Sequence, residues 1–377
     1  MMNKKFFLGF AIQISTVLFL IIQAVISPLI IGMYEYGEVV FLLTPVFLMA
    51  AVFEAVTQHA TLKKVNGSFS YVINFLLFTA VIILFFDFFN EKAIGVNTLL
   101  TLFSALALYL STWSQSCFYS TGKYEYISKA IFVSFISACA VIFIFVIIDE
   151  KSKYMYYAVF ILSQLSAFLY LMYKDYDNEI LSFSLGKYEK NYGSLFDSLS
   201  WRLNSIIYTV VFVYIVGIFY PPEIVGQTKY LFTILMGLRF ACPFNTPMVH
   251  AYFKENKNGS FILIKLFAFY LFSLILLYFL GRELVYIFNL DSLSFIFDYG
   301  LYFLSFSIVL VSNAIGSYFV FNQKTSLINI SSVISFLTCL SLILFGYSAE
   351  YAFSISILVY VLLVCSFVFS INRKGKV

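Results

Sequence analysis

The chain has 377 residues, 62% of them hydrophobic and only 11% charged, with a mean hydropathy of +0.94. Soluble domains carry about 25% charged residues, so this composition excludes an ordinary soluble core. A net charge of +4 is too small to argue for nucleic acid, and Cys117, Cys139, Cys242, Cys339 and Cys365 show no metal-ligand or redox spacing.

Apolar stretches of about 20 residues succeed one another with short polar loops between them, and about 20 helical residues cross a hydrocarbon layer of about 30 Å. Backbone groups in lipid must satisfy one another, which a helix does locally. In chain order the predicted spans are 6–31, 38–57, 70–89, 98–119, 129–148, 154–173, 195–219, 226–249, 260–281, 298–321, 326–346 and 351–371. The first follows a short Met-Asn-Lys-Lys leader and is long for a cleaved signal segment, so it reads as a retained helix. The fold class is therefore all-α: a polytopic membrane protein of about 12 transmembrane helices in two six-helix bundles. The bundles are residues 1–173 and 195–377, and the polar stretch 174–194 is a cytoplasmic linker.

Basic residues sort by loop. With the N-terminus inside, Lys4, Lys5, Lys63, Lys64, Lys123, Lys129, Lys174, Lys187, Lys190, Lys254, Lys257, Lys324, Arg373, Lys374 and Lys376 fall on the cytoplasmic side. Only Lys92, Lys151, Lys153 and Arg282 fall opposite, which supports an even number of crossings with both termini cytoplasmic.

Between the halves, GEVVFLLT (37–44) aligns with GQTKYLFT (226–233), each after a short outer turn. Chance likeness among apolar helices competes with a true repeat here; a repeat would give the paired bundles of an alternating-access transporter. The opening helix followed by SPLIIGMYEYGEVVFLLTPVFLMAAVFEAVTQHATLKK (27–64) resembles the start of bacterial O-antigen flippases of the Wzx type and related polysaccharide exporters of the MATE-like MOP superfamily. STGKYEYISKA (120–130), PPEIVGQTKYLFTI (221–234) and LGRELVYIFNL (280–290) are similar in placement. Gly32-Met33-Tyr34 departs from the Gly-Pro usual at that turn.

That resemblance implies a bacterial inner-membrane flippase moving undecaprenyl-diphosphate-linked oligosaccharide from the cytoplasmic to the periplasmic leaflet, amid membrane lipids. A polysaccharide polymerase and a chain-length regulator are implied partners. It implies no cofactor beyond possible coupling to a proton or other ion gradient. An anionic headgroup in lipid asks for a wet cationic cavity, and inside or at the margins of the spans sit Glu54, Asp197, Arg202, Lys229, Arg239 and Lys265, with little else charged. Arg239 and Arg202 are candidate phosphate-facing bases, with an ion pair to Glu54 and snorkelling as the respective rivals. Lys229 and Lys265 join the cavity set, although each lies near a membrane edge where snorkelling competes. Glu54 or Asp197 could carry a coupling proton or serve in an ion pair. Gln13, Gln23, Gln115, Asn204, Asn245 and Asn313 could line a sugar path or bond neighbouring helices. Pro45, Pro243 and Pro247 mark kinks.

No catalytic motif or nucleotide-binding loop appears, so the chain reads as a transporter rather than an enzyme. An O-antigen polymerase would need a large arginine-bearing outer loop, and a multidrug cation antiporter would favour acidic cavity residues; both remain as alternatives.

Overall fold

The computed structural model describes residues 14–62, 69–89, 95–176, 180–181, 183, 206–241, 253, 261–288 and 291–374. Among these the regular elements are all helical. In chain order they are α1 (Ile14–Ile31), α2 (Met33–Leu62), α3 (Phe69–Phe89), α4 (Val96–Ser120), α5 (Tyr124–Ile147), α6 (Lys153–Asp175), α7 (Ile207–Phe219), α8 (Pro222–Ala241), α9 (Phe261–Ile287), α10 (Gly300–Phe321), α11 (Thr325–Leu344) and α12 (Ala349–Lys374). Nine of these are long and apolar enough to cross a membrane, α3 and α7 carry shorter apolar helices, and α8 occupies the remaining expected span. This is a multi-pass membrane protein. Four elements run past their predicted bounds by four residues or more: α2 begins five residues early and continues to Leu62, α5 begins five early, α8 begins four early, and α9 continues to Ile287 where a polar loop was expected. In α2 and α9 the extensions carry Glu35, Arg282 and Glu283, which a hydropathy window trims although a helix accepts them at its ends.

The chain forms two compact units, one of Met1–Leu195 with Pro221–Gly226 and the other of Phe196–Tyr220 with Gln227–Val377. In the first, α5 packs along α6, and α4 packs on α2, α3 and α6. Packing in lipid gains little from leucine against leucine, so close approach and hydrogen bonds decide it. Here Ser104, Ser111 and Ser114 of α4 are fully buried. The Thr79 hydroxyl of α3 bonds the Tyr109 hydroxyl of α4 at 2.6 Å, and Thr101 of α4 bonds Tyr157 of α6 at 3.1 Å. Ser134 Oγ of α5 donates to the Ser163 carbonyl of α6 at 2.8 Å.

The turn into α2 is held from two sides. Gly32, at φ 89°, lets α1 end and α2 start one residue later. Glu35 accepts from the Lys153 backbone N–H at 3.3 Å, placing a carboxylate at the start of α6, while Lys153 Nζ bonds Glu38 at 2.8 Å. Gly37 and Gly226 meet backbone to backbone: a Cβ on Gly37 would lie 1.7 Å from the Pro222 carbonyl oxygen, and one on Gly226 would lie 2.1 Å from that of Met33. These are the aligned glycines of GEVVFLLT and GQTKYLFT.

The second unit repeats the first in its α10–α11 hairpin. Lys123 N–H donates to the Phe118 carbonyl and Gly122 N–H to Tyr119, the pattern of a Schellman turn. After α10, Lys324 donates to Phe319 and Gln323 to Val320 in the same way. The left-handed residue is Gly122 in one and Gln323 in the other. At this same interval in the chain, Ser111 matches Ser312, Ser116 matches Ser317, Ile127 matches Ile328 and Ser134 matches Ser335, and all eight are buried. Ser335 Oγ donates to the Ser356 carbonyl of α12, as Ser134 does to Ser163. Ser163 and Ser356 in turn donate to the carbonyls three residues back, Phe160 and Phe353. The first helix of each unit also carries a π-helical turn, Ile21–Ile26 and Ile207–Val211. From the second, the Tyr208 hydroxyl bonds Ser335 Oγ.

Gly37→Ala should lose stability by about 1–3 kcal/mol, because no flexible side chain can yield to the new methyl. Gly122→Ala, whose Cβ meets nothing within 4 Å, should lose only the smaller cost of its positive φ. Thermal melts of the two purified variants check the order; equal melting shifts would mean that the glycine contact does not constrain the fold.

Candidate functional site

Helix α8 carries two of the charged candidates, Lys229 and Arg239. Within the second unit Thr228, Leu231, Phe232 and Leu235 form its buried face, at the spacing of one helical stripe. Phe232 fixes that face against four rings, Phe212, Tyr302, Phe306 and Phe353, at centroid distances from 4.9 to 5.8 Å. Such ring pairs add about 0.5–1.5 kcal/mol each beyond the area they bury. The rotation of α8 is thereby set, and with it the directions of Lys229 and Arg239.

Both cations are half-buried. They stand about 15 Å apart along the axis and about 80° apart around it. Arg239 Nη2 donates to the Val309 carbonyl of α10 at 3.1 Å, an oxygen that also accepts from Ser312 Oγ at 2.6 Å. That carbonyl fixes the direction of one guanidinium N–H. Near the other end of the helix, the Tyr299 hydroxyl donates to Gln227 Oε1 at 2.8 Å, which steers the amide two residues before Lys229. Thr233 Oγ1 bonds the Lys229 carbonyl at 2.9 Å and so stays within the helix.

The other candidates stand apart from this pair. Lys265 lies on the exposed face of α9 with Nζ 4.8 Å from the Phe261 ring centroid, bent back toward the start of its helix. Glu54 is half-buried on α2 in the first unit, within electrostatic reach of Tyr119. Gln13, Asp197, Arg202 and Asn204 lie outside the described residues, as do Asn245, Pro243 and Pro247. Gln115 Nε2 bonds Ser111 one turn back at 2.9 Å, and Gln23 is buried in the π-helical turn of α1.

Sequence reasoning did not find Gln227, Tyr299 or the Val309 carbonyl. Gln227 was visible as the polar residue two before Lys229; a backbone carbonyl that receives an arginine leaves no trace in the sequence. Among the described residues no three His, Cys, Asp or Glu side chains gather as a metal site.

No family model matches this chain, and no curated protein matches it. Solved structures do. The lipid II flippase MurJ, in an inward closed conformation, is similar with a TM-score of 0.65 at 16% identity, over 97% of this chain and 87% of that one. An inward-facing multidrug resistance MATE family transporter of the MOP superfamily gives 0.61 at 12%, over 95% and 99%. A eukaryotic MATE transporter gives 0.56 at 13%, over 99% and 97%. At these identities the likeness is one of fold: the chain folds as the MOP-superfamily transporters do.

If the two cations line a wet surface, cysteine labelling reads it out directly. Lys229→Cys and Arg239→Cys should react with a charged methanethiosulfonate reagent, beyond the labelling of the parent chain. Leu231→Cys and Leu235→Cys, at fully buried positions, should not. Equal labelling at all four would show that the cations do not face a distinct wet surface.

Proposed function

We propose that this protein is a flippase for lipid-linked oligosaccharide, moving an undecaprenyl-diphosphate-bound unit from the cytoplasmic to the periplasmic leaflet by alternating access. Its setting is the bacterial cytoplasmic membrane, with both termini on the cytoplasmic side. The observation that carries this reading is the pair Lys229 and Arg239 on one helix at the place of a predicted span, on a fold shared with a protein whose name is lipid II flippase. Charged side chains inside a membrane bundle face protein or water and mark substrate paths, so two cations on one helix support a functional reading. A diphosphate would accept charge-assisted hydrogen bonds from both, and a guanidinium already oriented by Val309 loses little freedom in making them.

A multidrug reading has the MATE likeness on its side, but two half-buried cations repel a cationic drug. Arg202 and Lys265 are secondary candidates for the headgroup path, Gln13 and Asn204 for sugar contacts, and Glu54 or Asp197 for proton coupling. The polymerase and the chain-length regulator are the partners that the proposed product would meet.

Arg239→Ala and Lys229→Ala should each lower surface glycan at least about tenfold at unchanged membrane abundance, the loss of one charge-assisted contact of about 1.5–3 kcal/mol. Lipid-linked units should then accumulate on the inner leaflet. Full export in both variants would overturn the assignment. Normal flipping with single-repeat surface glycan in the deletion strain would favour a polymerase, and loss of dye efflux alone would favour multidrug transport.

A further inference from the structure

Helix α9 is longer than a bilayer requires. Its 27 residues reach about 40 Å at 1.5 Å per residue, against about 30 Å of hydrocarbon. Charges locate its depth. Lys265 is exposed near one end, and Arg282 and Glu283 are exposed near the other. The interval from Lys265 to Arg282 is about 26 Å, so side chains reaching outward from both ends bracket one hydrocarbon thickness. Immersing the whole helix would take a tilt of about 40°, the upper end of what transmembrane helices show, and would set Arg282 and Glu283 against acyl chains.

Beyond that charged pair the surface turns apolar again. Leu284, Tyr286, Ile287 and Phe288 are 51%, 81%, 64% and 64% exposed. They lie about 3–9 Å past Arg282, where a headgroup layer about 5–7 Å deep begins. The tip is braced by its own unit. The 3-10 segment Asp291–Asp298 folds back on α9, and Phe297 sits so close that a Cβ on Gly281 would come 2.7 Å from its ring. Tyr278 donates to the Phe297 carbonyl at 3.2 Å, and Phe297 stacks on Phe303 of α10 at 6.0 Å.

We propose that the end of α9 and this fold-back form an interfacial ledge, with Leu284, Tyr286, Ile287 and Phe288 seated among phospholipid headgroups and setting the depth of the second unit. Phospholipid is the occupant because the distances match its headgroup layer and because tyrosine presents an apolar ring with a polar tip, the character favoured at that depth. The ledge holds whatever the cargo, so its test is separate from that of the flippase.

The full chain is reconstituted in phosphatidylethanolamine–phosphatidylglycerol vesicles with a nitroxide on Tyr286→Cys or Phe288→Cys, native cysteines replaced. The labels should report a depth within about 5 Å of the lipid phosphate. Collision with a water-soluble nickel complex at the rate of a fully aqueous label would overturn the ledge, as would spin–spin broadening between copies of this chain. A second arm keeps the native cysteines: Phe288→Trp adds emission that bromine near the acyl carbonyl should quench at least about twofold more than bromine near the chain end. Equal quenching by both lipids, or none, would also overturn it.

Discussion

Helices surrounded by lipid gain almost nothing by exchanging an acyl chain for a leucine, so the structure rests on where backbones can come close and bond across. Serine does this work in both units. Ser134 on Ser163 and Ser335 on Ser356 place a hydroxyl against a carbonyl of the neighbouring helix, with no bulk between the two backbones. Interhelical bonds of this kind are worth about 0.6 kcal/mol on average, so no single one holds a bundle. Their value is in register: a serine donor finds its carbonyl at one axial offset only, and the aromatic rings around Phe353 then pack in the order seen.

Register explains the placement of the candidate site. Phe232 locks the rotation of α8, and that rotation decides where Lys229 and Arg239 point. The link from packing to chemistry is short here, because one ring cluster orients a helix and one carbonyl orients a guanidinium. Glu35, Glu38 and Lys153 play a different part in the first unit, where charge ties the start of α6 to the start of α2.

Much of the fold was legible in the sequence, because hydropathy reports a physical constraint that every span must meet. α6 was expected at 154–173 and runs over Lys153–Asp175. The ends of α2 and α9 were not legible, since a charged residue ends a hydropathy window but not a helix. The repeat was visible only as GEVVFLLT over GQTKYLFT. Its stronger half, α4–α5 against α10–α11, hides in scattered serines and in turns whose left-handed residue is glycine in one copy and glutamine in the other. Of the site, Lys229 and Arg239 stood out as charges in apolar runs, whereas the tyrosine and the carbonyl that orient their helix neighbours depend on contacts no pattern encodes.

The matched Schellman turns carry one more implication. Gln323 holds a left-handed backbone at φ 56° that costs a side-chain-bearing residue about 1–2 kcal/mol, while Gly122 holds the same shape at little cost. One hairpin therefore stores conformational energy that its counterpart does not, and the two copies have diverged in mechanics while keeping one geometry. The molecule thus contains its own control: any residue in α4–α5 can be compared with its partner in α10–α11, in one chain, one membrane and one melt.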